Sequence, residues 1–102
     1  MRVIELNAAN WKTVGDFYAA LLPELGAPEW HGDSVNALVD SMIWGEINQI
    51  DPPYRIIVRN VRDLPRDVAN ELNWVKHGLA KGRADFQARK NYDVVVEFEI
   101  LD

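Results

Sequence analysis

The stretch Pro28–Asp40 reads PEWHGDSVNALVD. Two rings, Trp30 and His31, stand before Gly32, and behind the glycine a helical pattern opens. At about 100° per residue, Val35, Leu38, Val39, Met42 and Ile43 fall on one side of that helix, and Asp33, Asn36, Ala37, Asp40 and Trp44 on the other. The first set is a core face. A row of acid, amide, acid and tryptophan is not needed to build a core and suits a surface that grips something basic. The pattern predicts a helix from Asp33 or Ser34 to Trp44, stopped by Gly45.

Upstream, Arg2–Leu6 alternates apolar and charged residues and predicts a strand. Thr13–Leu25 predicts a helix, with Phe17, Ala20, Leu21 and Leu25 at helical spacing. Thr13 with Asp16 approximates a capping box, and Pro23 predicts a kink or an early end near Leu22. Downstream, Glu46–Pro53 reads as a loop closed by a Pro-Pro pair, and Arg55–Val61 as a β-branched strand. Asp63 is the expected cap of a third helix, with Pro65 near its first turn. That helix carries Val68, Leu72, Val75 and Leu79 and is expected to stop near Gly82, leaving Asp85–Asn91 open between helix and coil.

Tyr92–Leu101 is the clearest strand. Tyr92, Val94, Val96, Phe98 and Ile100 share one face, while Asp93, Glu97 and Glu99 share the other. Arg55 and Arg59 lie on one face of the middle strand, and Glu5 is the acid of the first. One sheet face should therefore be dry and the other should carry Glu–Arg cross-strand pairs. Strands separated by helices imply an α/β fold: a small, three-stranded, mostly parallel sheet flanked by about three or four helices, in one domain spanning 1–102.

The 102 residues are 48% hydrophobic and 26% charged, which supports a packed core. No apolar run approaches the roughly 20 residues of a membrane helix, and the first ten residues lack a secretory pattern. The absence of cysteine excludes disulfides and a thiol nucleophile and fits a cytoplasmic location. Net charge is −5, unevenly spread: residues 1–51 hold eight acids against two bases, and residues 52–102 hold eight against nine. An acidic half repels nucleic acid and speeds encounter with a cationic partner.

On the residues of Pro28–Asp40, and on the helix ending LPELGAPEW before them, the chain resembles the barstar-like ribonuclease inhibitors. The resemblance implies a cytoplasmic inhibitor, an immunity or self-protection protein, whose second helix and preceding loop enter the active-site cleft of a small basic ribonuclease. It implies that Asp40 is the main anchor, standing where substrate phosphate is held and meeting arginine and histidine. A carboxylate accepts paired hydrogen bonds from arginine much as phosphate does. Trp30 matches an aromatic that packs on the nuclease's histidine, and Gly32 lets the loop backbone approach closely. Asn36 departs from the aspartate of the family's best-known member, and Val39 from its tryptophan; Trp44 is the compensating aromatic. Glu71 and Asp85 are the candidates for an acid that the family supplies from its last helix.

The partner-binding set is thus Trp30, His31, Gly32, Asp33, Asn36, Val39, Asp40 and Trp44. Each has a plainer reading. Asp33 suits the N-cap of the second helix, Trp30 and Trp44 could fold back on the core, and His31 could only fill an aromatic slot. Trp11 and Trp74 read as structural, and His77 as a surface residue. His31-x-Asp33 is too short a metal signature, and no nucleophile elbow or phosphate loop occurs, so no metal, cofactor or catalytic residue is expected. The basic residues Lys81, Arg83, Arg89 and Lys90 read as a solvated face, not a nucleic-acid site. The alternative function is a non-inhibitory module that binds a basic protein through the same acidic face.

Overall fold

A computed structural model describes residues 1–102. The elements are β1 (Arg2–Asn7), α1 (Val14–Leu25), α2 (Val35–Val39) running straight into a π-helical turn (Asp40–Trp44), β2 (Tyr54–Arg59), α3 (Arg66–Lys90) and β3 (Val96–Ile100). The strands lie in the order β1-β2-β3, and both pairings are parallel. This is the expected α/β fold, with three α-helices, the lower end of the expected number.

Register explains the two faces. Ile4 pairs Ile56, which pairs Phe98, and Tyr54 pairs Val96. With Leu6 and Val58 these residues form the inward row. They pack with Phe17, Leu21 and Leu25 of α1, Leu38 and Met42 of the second helical segment, and Leu72, Val75 and Leu79 of α3. The outward row holds the ion pairs. Arg55 NH2 lies 2.8 Å from Glu97 Oε1, and Arg59 Nε lies 3.0 Å from Glu5 Oε1. Ile57, on the same outward row, is buried between its cross-strand neighbours Glu5 and Glu99.

Several boundaries differ from the sequence reading, each for a local reason. α1 does not end at Leu22: Pro23 sits inside its last turn. The carbonyl that Pro23 leaves without a backbone donor belongs to Ala19, which is exposed, so water can serve it. Gly26, at φ 65°, then closes the helix by donating to Pro23 O, and Ala27 donates to Leu22 O. The expected box is present: Thr13 Oγ1 accepts from Asp16 N, and Asp16 Oδ2 accepts from Lys12 N at 2.7 Å and Thr13 N at 3.1 Å. Those donors, Lys12 N first, hold the Asp16 carboxyl below its ordinary value.

α3 begins behind Pro65 with no side-chain cap, so Asp63 is not its cap. Nor does it stop at Gly82. It runs eight residues further to Lys90 and ends where Asn91 takes φ 54°. Gly82 is buried mid-helix because α2 lies against it: a Cβ there would stand 2.7 Å from Val39 Cγ1. At Gly78, one turn earlier, a Cβ would collide with Val35. The two glycines permit a close helix approach; they do not mark a stop. β2 ends at Arg59 and β3 starts at Val96, so the ends of both predicted strands are connecting segments.

Candidate partner-binding face

The second helical segment starts at Ser34, not at Asp33. Ser34 Oγ accepts from Ala37 N at 3.1 Å, satisfying one of the free N–H groups of the first turn. Asp33 is thereby free of capping and exposed. After Val39 the ladder changes: Gly45 N donates to Asp40 O at 3.0 Å, five residues back, closing a π turn. Ser41 Oγ stands 3.4 Å from Leu38 O, a side-chain oxygen beside the ladder where it widens. Single π turns recur at functional sites. This one carries Asp40 at its start and Trp44 at its end.

Around it the expected residues divide. Trp30 is 73% exposed and Trp44 40% exposed. Gly32, Asp33, Asn36 and Asp40 are exposed with them. The carboxylates of Asp33 and Asp40 and the amide of Asn36 form no hydrogen bond or ion pair within the chain. Trp44 is not loose: its ring meets the Phe86 ring edge-on at 4.8 Å, so α3 seats it. Val39 and His31 point elsewhere. Val39 fills the space beside Gly82, as the helical wheel placed it. His31 is 8% exposed and bonded at both ring nitrogens, so it lies beneath the face.

One supporting residue was not singled out by sequence, and it engages Glu71, which was. Tyr18, buried in α1, donates its hydroxyl to Glu71 Oε2 of α3 at 2.5 Å. Burial, then that bond, then the charges of Glu71 and Asp33, push the phenol up from its ordinary value. Tyr18 therefore brings Glu71 and Asp33 to one corner between α1, α3 and the loop. Asp85 is exposed on α3. Trp11 packs on Phe17 at 5.6 Å, in keeping with a structural role. Trp74 does not: it is 60% exposed. The helix spacing of Gly78 and Gly82 was the available signal that α2 would sit on α3 and leave this flank in view. His77 is exposed, as read.

Fold and stripe together define a parallel α/β protein that presents an acidic helix face flanked by tryptophans. The family model described as Barstar (barnase inhibitor) matches residues 1–99. The chain belongs to that family, whose members are inhibitors with a ribonuclease as partner. No curated protein matches the chain. No helix is long and apolar enough to cross a membrane.

Proposed function

We propose that this chain is a protein inhibitor of a small basic ribonuclease, acting in immunity or self-protection in the cytoplasm. The carrying observation is the unpaired, exposed row Asp33–Asn36–Asp40, bracketed by Trp30 and Trp44, in a chain that the barstar family model matches over residues 1–99. A carboxylate left without an internal partner on a rigid helix face has its full hydrogen-bonding capacity to offer. Asp40 takes the arginine and histidine side chains that otherwise hold substrate phosphate. Trp30 covers the neighbouring ring, and Trp44, seated on Phe86, excludes water from the edge of the contact. Inhibition is occlusion and needs no chemistry by the inhibitor. Asn36 replaces a charge with an amide, so the nuclease best fitted to this face carries one cationic group fewer opposite it.

The test is co-expression with a candidate basic ribonuclease encoded beside this chain, and RNA cleavage by the purified pair. Restored growth and loss of cleavage at equimolar inhibitor are expected. Tight binding with cleavage intact overturns inhibition and supports the scaffolding alternative.

A further inference from the structure

The recognition loop and the π turn are joined at one buried point. His31 Nδ1 lies 2.7 Å from Gly32 O, and His31 Nε2 lies 2.7 Å from Ser41 Oγ. A carbonyl only accepts, so the neutral ring carries its hydrogen on Nδ1 and leaves Nε2 as the acceptor. The single hydrogen of the Ser41 hydroxyl then points at Nε2. Leu38 O, at 3.4 Å, is its alternative acceptor. The placement in sequence matters as much as the distances. His31 directly follows Trp30, and Ser41 directly follows Asp40. One hydrogen bond therefore ties the residue behind the aromatic contact to the residue behind the acidic one.

We propose that His31, acting through Ser41, is the positioning residue of the docking face. It fixes the Trp30 loop against the Asp40 turn before any partner arrives, and it transmits its own protonation to the Leu38–Ser41 junction. The purpose assigned to the pair rests on the inhibitory reading; the pair itself does not.

The proton step balances within the two side chains. When the ring takes one proton from solvent, it lands on Nε2, the only free site. Nε2–H now donates into Ser41 Oγ, and the serine hydroxyl turns its hydrogen to Leu38 O. The short contact keeps its partners but reverses direction, and the 3.4 Å contact becomes the serine's donor bond. Leu38 is in α2 two residues before Asp40, so the reversal is felt where the α ladder gives way to the π turn.

The charged and titratable groups around the ring are acidic or phenolic. Tyr18 of α1, and Glu29 and Asp33 of the loop, line with His31 a shallow cavity of about 430 Å³. Glu71 of α3 lies behind Tyr18, and Asp40 adjoins Ser41 on the π turn. The ring thus shares its cavity with carboxylates and with no lysine or arginine.

The test uses the free, full-length chain and nuclear magnetic resonance. At neutral pH the ring nitrogen shifts of His31 should mark the Nδ1–H tautomer. As pH is lowered, the amide signals of Trp30, Gly32 and Leu38–Ser41 should move together with the ring signals of His31. The ring signals of His77, exposed on α3, should not track them. His31→Phe should abolish the response. Ser41→Ala should abolish it at Leu38–Asp40 while Gly32 still follows the ring; this variant decides the matter should His31→Phe fail to fold. An Nε2–H tautomer, a Leu38–Ser41 segment indifferent to the His31 ring, or a response unchanged in Ser41→Ala each overturns the proposal. No nuclease enters the experiment, so failure here leaves inhibition standing, and failure of inhibition leaves this pair standing.

Discussion

Two surfaces of this protein are rich in charge, and they use it oppositely. On the outer sheet face Arg55 is held by Glu97 at 2.8 Å with Glu99 at 3.6 Å, and Arg59 by Glu5 at 3.0 Å. Hydrogen bonding to Glu97, then the charges of Glu97 and Glu99, raise the Arg55 value above its ordinary one. On the helix face Asp33 and Asp40 have no partner within the chain. The sheet face is complete in itself, and its charges serve the fold. The helix face is incomplete, and its charges are available to another molecule. An exposed carboxylate is uninformative alone; a row left unpaired in a chain that pairs its sheet charges is what supports the docking reading.

The largest expected effect separates the two faces directly. Asp40→Ala should weaken inhibition of the cognate nuclease by at least about 30-fold, because truncating one partner of a desolvated charge pair strands the other and costs about 2–5 kcal/mol. The barstar–barnase complex is itself one of the systems from which such magnitudes come. The same variant should leave the thermal midpoint unchanged, since Asp40 bonds to nothing in the chain through its side chain. Lys12→Ala, remote from the face, should change inhibition little. Titrating the inhibitor into an RNA-cleavage assay, with a thermal melt of each variant, checks both statements. Equal, small losses in the two variants would remove Asp40 from the centre of the interface.

The next effect probes what holds the incomplete face in place. Gly82→Ala puts a methyl 2.7 Å from Val39 Cγ1 and 3.5 Å from Ile43 Cγ1, where α2 and the π turn meet α3. Overpacking of this kind costs about 1–3 kcal/mol. Gly82 lies mid-helix, where alanine is intrinsically favoured by about 1 kcal/mol, so the net loss read by urea denaturation will fall short of the packing cost. Inhibition should fall as well, because Val39 and Ile43 sit on the far side of the backbone that carries Asp40 and Trp44. A variant more stable than the parent would show that α2 yields freely and that the close approach does not position the face.

Much of this was legible in the sequence, and the misses share a cause. Strand pairing by alternation, the Thr13–Asp16 box and the inward set Leu38, Met42 and Ile43 all follow from local period and were read correctly. What local period cannot show is the environment that an element meets. Gly82 looks like a helix stop until Val39 is packed on it. Asp33 and Ser34 are both good caps, and only the backbone path shows that Ser34 Oγ reaches Ala37 N. The widening at Asp40 is a π turn that a wheel of fixed pitch cannot represent. His31 reads as a partner contact or a filler of an aromatic slot from its place in the motif loop, yet Ser41, ten residues on, draws it inside.

Acid should test the paired charges. Arg83 Nε and NH2 reach Asp93 Oδ1 and Oδ2 at 2.7 and 2.8 Å, clamping α3 to the segment before β3. That bonding holds the Asp93 carboxyl below its ordinary value of 3.8. A carboxyl whose folded value is depressed binds fewer protons folded than unfolded. Its contribution is therefore complete above the unfolded value and is lost as pH falls through the folded one. Stability should drop below about pH 4, and Asp93→Asn should flatten that limb while leaving inhibition at neutral pH intact. Asp16 is depressed in the same direction and adds to the same limb. An acid limb of the same steepness in Asp93→Asn would mean that the clamp does not sense protonation.

The smallest effect sharpens the comparison most. Glu97→Gln removes the nearer of the two carboxylates on Arg55, and Glu99 on the same strand remains to take the guanidinium. The pair is more than a third exposed on the arginine side, so water and salt screen it. Its loss should cost less than about 1 kcal/mol, and less again at high salt. Nothing on the outer sheet face touches the α2 stripe, so inhibition should not change. Both Asp40→Ala and Glu97→Gln delete one negative charge and alter net charge equally. Electrostatic steering by the whole molecule would therefore slow association similarly in both, and only a contact made by Asp40 itself would accelerate dissociation. Association and dissociation rates for the two variants thus divide what the acidic half does at a distance from what one carboxylate does in contact.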